Sequence, residues 1–161
     1  MRPDAALRPA TALDAMAVAR WFRTAEEAVL WAGPGAPWPV PPLWLAREFD
    51  HPVRRHYAFT LSGRLAGVFS VVFHPAQRRA HLIHVALAPE RRGQGLSRDL
   101  LQGVREVALS QGAAERLTLN VFERNAPAVA AYLRAGFRAY ARAPAGREGP
   151  DAVLRMALAL D

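Results

Sequence analysis

The chain contains neither cysteine nor lysine. Without cysteine there is no disulfide, no thiolate nucleophile and no Cys-based zinc site. Without lysine there is no P-loop, which needs one directly after its last glycine. All 21 residues of the Lys+Arg count are therefore arginines, and they carry the net charge of +7. No arginine run is interleaved with aromatics as a stacking groove or basic arm would be, so a nucleic-acid role rests on net charge alone. The same field suits a polyanionic cofactor. Long apolar runs are missing too: MRPDAALRPA has no hydrophobic leader core, and no segment is long enough to span a bilayer. The expectation is a cytoplasmic protein without a membrane partner. The five histidines do not fall into HExxH or another ligand spacing, so no metal is expected. At 161 residues the length fits one domain, 1–161, with a substantial core.

What is present is organised around Arg91 to Ser97, RRGQGLS. Upstream, HLIHVALAP (81–89) reads as a buried strand ended by proline. Downstream, Leu96, Leu100, Leu101, Val104, Val107 and Ala108 recur at helical spacing, and Gly112 marks the helix end. A strand entering a glycine turn at the start of a helix leaves backbone N–H groups unpaired beside the positive end of the helix dipole, which suits phosphate. Gly93 and Gly95 remove the Cβ atoms that would keep an anion away, and Arg91 and Arg92 add charge. A dinucleotide fingerprint would need a third glycine or alanine at 98, where Arg98 stands. The pattern points to a phosphorylated cofactor, against the plainer reading of a turn that only redirects the chain.

The remaining elements follow from periodicity and turn chemistry. A short strand at 7–10 is stopped by its proline. Leu13, Met16, Ala17, Trp21 and Phe22 mark a helix face, and Thr24 opens a second helix through a Thr24–Glu27 capping box, ending near Trp31. GPGAPWPVPP (33–42) holds five of the thirteen prolines, with Trp38 inside it and Trp31 and Trp44 to either side. Such a loop is either a rigid connector whose indoles fill the core or one wall of a substrate pocket. Its PxxP pattern is set aside because helices flank it. Strands are expected at 56–61 and 65–73 around Ser62-Gly63-Arg64, then at 116–122, 137–141 and 153–160. Asn125 caps a helix with Pro127 in its first turn, and Gly136 closes it.

This order, with Arg-x-x-Gly between the fourth strand and the following helix, resembles the GCN5-related N-acetyltransferase (GNAT) superfamily over nearly the whole chain. The family's phosphate turn, Arg/Gln-x-x-Gly-x-Gly/Ala, is matched by Arg92-Gly93-Gln94-Gly95-Leu96-Ser97 except at its last position, where Ser97 is still small. Leu119-Asn120-Val121, Asn125 to Val129, Tyr132 and Gly136-Phe137 look like the family's second cofactor segment, closest in pattern to ribosomal-protein N-terminal acetyltransferases. The resemblance implies an α/β (α+β) fold with a mixed, mostly antiparallel sheet of six or seven strands, about four helices, and a splay between strands four and five. It implies acetyl-CoA as cofactor, held by Arg92 to Ser97, by backbone groups of Val85 and Leu87, and by Asn125 and Tyr132.

Asn125 and Tyr132 are seven residues apart, about two helical turns, so both can face one ligand; the plainer readings are an N-cap and a core aromatic. Amine acetylation needs a donor for the developing oxyanion, an acid for the departing thiolate and a base for the amine. Tyr132 suits the acid and a Val85 N–H the oxyanion. The ribosomal enzymes carry a glutamate where this chain has Asn120, which can hold a water or the amine but cannot accept its proton. His84 is the substitute base, with Glu26 and Glu27 behind it, although a strand histidine is commonly just a core residue. Trp31 and Trp38 are the candidate substrate contacts. The function expected is transfer of an acetyl group to a primary amine of a small molecule or peptide in a ternary complex. A non-catalytic acetyl-CoA-binding domain is the alternative that Asn120 favours, and homodimer formation is left open.

Overall fold

Strand residues alternate between two separate cores, and this alternation fixes the layers of the molecule. The computed structural model describes residues 1–110, 114–146 and 149–160; the expected helix end at Gly112 lies outside the described residues. Seven strands form one sheet: β1 (Ala5–Pro9), β2 (Arg54–Leu61), β3 (Arg64–His74), β4 (Arg79–Leu87), β5 (Arg116–Phe122), β6 (Arg138–Ala143) and β7 (Val153–Ala159), in the order β1-β2-β3-β4-β5-β7-β6. Every pairing is antiparallel except β4 with β5. Along β3, Val68 faces one core while Phe69 and Val71 face the other, the period-two pattern of a sheet covered on both sides.

Helices α1 (Ala12–Val18), α2 (Ala25–Ala32) and α3 (Pro42–Phe49) pack on the Val68 face through Ala15, Val18, Ala28 and Leu45. Helices α4 (Leu96–Ser110) and α5 (Ala126–Arg134) cover the opposite face, with Leu96, Leu100, Leu101 and Val104 of α4 buried against Phe69, Leu82 and Leu119. No helix among the described residues is long and apolar enough to cross a membrane.

Two sequence expectations are corrected. The first helix ends at Val18, too early for Trp21 and Phe22 to continue its periodicity, and its supposed core residue Leu13 is 77% exposed. Its buried stripe is instead Asp14, Ala15 and Val18. Asp14 is tolerated there because Arg8 donates to both carboxylate oxygens at 2.7 and 2.8 Å and because it closes a full capping box with Thr11. The second correction is α3, a fifth α-helix that the proline-rich sequence conceals. Pro42 occupies its first position, where the missing N–H has no intrahelical acceptor to lose. At α2, Thr24 accepts from the Glu27 N–H as expected, but Glu27 reaches back to the Arg23 N–H at 2.6 Å rather than to that of Thr24.

Candidate active site

Two backbone irregularities in β4 create the cleft. The parallel ladder with β5 runs only from Arg79↔Arg116 to Leu82↔Leu119, after which the strands part. One residue beyond the next, His84 lies in the left-handed region at φ 54°, where the β3–β4 register slips between Val68 and Ser70. A non-glycine residue held there is strained, and a bulge of this kind redirects the strand. The separation leaves a cleft of about 320 Å³. β4 contributes His81 to Val85 to its lining, β5 contributes Asn120 to Phe122, α5 and its N-cap contribute Ala128, Tyr132 and Asn125, and the end of α2 contributes Leu30 to Ala32.

Among the residues singled out by sequence, Tyr132, His84, Asn120, Val85, Asn125 and Trp31 all line this cleft. Tyr132 packs edge-on against Phe137, with ring centroids 5.7 Å apart, and burial pushes its phenol above the ordinary value. It therefore keeps its proton at neutral pH. Asn125 accepts from the Ala128 N–H at 3.4 Å, so it serves as an N-cap while also bordering the cleft. Burial, followed by the nearby positive Arg54 and then His56, lowers His84 to about 4 and keeps its imidazole neutral. His81 is likewise lowered to about 4, chiefly by burial, and its Nδ1 lies 2.8 Å from Thr118 Oγ1.

Trp38, Glu26 and Glu27 lie apart. Trp38 is 41% exposed and is not among the cleft-lining residues. Glu26 pairs with Arg124 at 2.6 Å, and Glu27 is engaged at the head of α2 and with Arg92 at 3.6 Å. Sequence reasoning missed Phe122 and Val153 as cleft residues. Apolar side chains carry no chemical signature, and only the parting of β4 from β5 exposes them to the cleft.

The glycine turn stands at the head of α4. Gly93 and Gly95 have φ of 73° and 74°, and a Cβ added to either would meet nothing within 4 Å. The turn needs glycine for its backbone conformation, and its outer side is open, as a cradle for phosphate must be. Leu96 is buried in the core, so it can offer a ligand only its backbone; Ser97 is half-buried. Arg92 is tied inward, donating to Leu87 O at 3.2 Å and Trp21 O at 3.5 Å. Gln94 donates to Glu90 O at 2.7 Å and accepts at its own carbonyl from Arg2 at 3.1 Å. The turn is thus held from three sides while its open face stays clear.

Residues 11–137 match the acetyltransferase (GNAT) family, and the chain belongs to that family, whose acetyl donor is acetyl-CoA. Over 88 residues it is 35% identical to a streptothricin acetyltransferase of Streptomyces lavendulae, a match covering 55% of this chain and 46% of that protein. The chain thus spans about half the length of that curated relative. The structure of a nourseothricin acetyltransferase superposes with a TM-score of 0.60 at 32% identity, covering 68% of this chain and 67% of the other. A ribosomal L7/L12 alpha-N-protein acetyltransferase in complex with coenzyme A superposes with a TM-score of 0.81 at 15% identity, covering 99% and 96%. Of these three, the ribosomal enzyme shares the fold over nearly the whole chain, whereas sequence identity is higher with the streptothricin and nourseothricin enzymes.

Proposed function

We propose that the chain is one catalytic domain, spanning 1–161, that transfers an acetyl group from acetyl-CoA to a primary amine of a small molecule or peptide in a ternary complex in the cytoplasm. The observation that carries this reading is the convergence of Tyr132, Asn120, Asn125 and His84 on the cleft where β4 leaves β5. The open Gly93–Gly95 turn fits the phosphates of the donor, and the backbone of Val85 and Leu87, past the end of the ladder, fits its extended arm. When bound, acetyl-CoA supplies the activated acetyl thioester.

The chain's own residues then divide the proton work. Burial raises the phenol of Tyr132, which keeps its proton in place at neutral pH for a departing thiolate, the task of a general acid, while making it a weaker acid than a free phenol. The Val85 N–H is the donor proposed for the developing oxyanion. Asn120 is exposed to the cleft and orients the amine or a water. His84 is neutral above about pH 4 and can accept a hydrogen bond or take a proton in passing, although so low a pKa makes it a weak base.

The test is an acetylation panel read by free thiol release, with streptothricin, spermidine, amino acids, amino-acid amides and short peptides as acceptors. Acetyl-CoA binding without thiol release on any amine would favour the non-catalytic domain, the reading that Asn120 in place of a carboxylate supports.

A further inference from the structure

The first residues of the chain reach the glycine turn from far away in sequence. Asp4 fixes this segment to the β2–β3 hairpin, its carbonyl accepting from the Ser62 N–H and its carboxylate from the Ser62 hydroxyl, both at 2.8 Å. A turn closed by the Ala5 N–H on the Arg2 carbonyl at 3.1 Å precedes β1, and β1 lies so close on α4 that a Cβ at Gly103 would come within 2.8 Å of Leu7. Arg2 is thereby set at the head of α4. Its main-chain N–H donates to Asp99 Oδ1 at 2.8 Å, its Nε lies 3.2 Å from Asp99 Oδ2, and its Nη2 donates to the Gln94 carbonyl at 3.1 Å.

Asp99 stands in the first turn of α4. A carboxylate there complements the helix dipole, yet it has the wrong sign beside a turn that receives phosphates. Water does little to screen it, because the Asp99 side chain is only 14% exposed. The Gln94 carbonyl is a second negative end within the turn itself. Arg2 occupies both at once, so the opposing charge is cancelled before an anion arrives. Arg92, the arginine of the turn motif, is not placed for this task, being tied to Leu87, Trp21 and Glu27 on the other side.

We propose that Arg2 is a positioning residue of the donor site: it neutralises Asp99 and holds the Gln94 carbonyl, and so keeps the Gly93–Gly95 turn receptive to the phosphates of acetyl-CoA. The N-terminal segment, which carries none of the family's motifs, is on this account part of the cofactor site. The proposal rests on the reading that this turn receives the phosphates.

Calorimetry with coenzyme A at about 50 mM NaCl should show Arg2→Gln binding about five- to tenfold more weakly than the parent chain. Asp99→Asn should bind at least as tightly as the parent, and the double variant should recover to within about twofold of it. Raising the salt to about 1 M should shrink the Arg2→Gln defect below about twofold. Arg142 pairs with Glu123 at 2.7 Å on β6, at the opposite edge of the sheet from β1. Arg142→Gln therefore reports the effect of net charge alone, and it should stay within about twofold of the parent. An Arg2→Gln protein that binds coenzyme A no more weakly than Arg142→Gln would overturn the inference. So would an Asp99→Asn protein as defective as Arg2→Gln with no recovery in the double variant, since the pair would then only brace the turn. Gly95→Ala separates this from the reading beneath it: unchanged coenzyme A affinity in that variant would sink the turn as the phosphate site, whereas a weakened Gly95→Ala beside an unaffected Arg2→Gln would sink the role of Arg2 alone.

Discussion

Leu82 and Leu119 are the last paired residues of the parallel β4–β5 ladder, and both are buried in the core beneath α4. They act as a hinge pin between strands that are held together on one side of this point and parted on the other. The catalytic candidates on these two strands lie just past it: His84 and Val85 on β4, and Asn120 on β5. Core packing at Leu82 and Leu119 thus sets the width at which the cleft begins.

Tyr132→Phe removes one hydroxyl and little volume, and the ring's contact with Phe137 persists. The variant should fold and bind acetyl-CoA normally but lose on the order of 10² to 10⁴ in turnover, the range for a positioned acid. Unchanged cofactor affinity would place the loss in the transition state. Single-turnover thiol release decides the matter, and wild-type rates in the chemical step would remove Tyr132 from the mechanism.

Gly95→Ala tests the turn. The new Cβ meets no atom of the chain, so the strain is that of φ 74°, about 1–2 kcal/mol for a residue with a side chain. The melting temperature should fall modestly. The larger expected effect is loss of the rise in melting temperature that millimolar acetyl-CoA gives the parent protein through mass action. An equal rise in both proteins would show that the phosphates bind elsewhere.

Stability should decline as the pH falls from about 6.5 to about 4. His56, His81 and His84 are each lowered from 6.5 to about 4, first by burial and next by a neighbouring arginine. Above pH 6.5 the folded and unfolded chains both hold these rings neutral, so the contribution is fully present. Below it the unfolded chain takes up protons that the folded one refuses, until the folded rings also charge near pH 4. His56 is 7% exposed and accounts for up to about 3 kcal/mol of this. Urea midpoints measured across the range should show the slope, and His56→Gln should flatten it; a pH-independent midpoint would contradict the burial argument.

Trp38→Ala and Trp31→Ala should separate two roles that the sequence joins in one tryptophan-rich segment. Trp38 is 41% exposed and outside the cleft lining, so its loss should alter acceptor Michaelis constants by less than about twofold. Trp31 lies between Phe22 and His84, and its loss should raise those constants and also lower the melting temperature. An acceptor defect in the Trp38 variant would place the proline loop over the substrate after all.

Local chemistry written in the chain determined much of this protein: the alternation of Leu117, Leu119 and Val121, the glycine turn before α4, the Asn125 cap and the family motifs are all read from neighbouring residues, and the structure places them as strand, turn and helix. Where several neighbours bear on one choice, the sequence is legible. Tertiary structure alone decided the rest. The face of α1 depended on Arg8, six residues away on another element, neutralising Asp14. The helix at Pro42 depended on packing Leu45 into the second core. The separation of Trp31 from Trp38 depended on where α2 ends relative to a bulge in β4, more than fifty residues along the chain. No local pattern encodes the last two, because the energy that fixes them is burial of apolar surface, which has no direction and no sequence range.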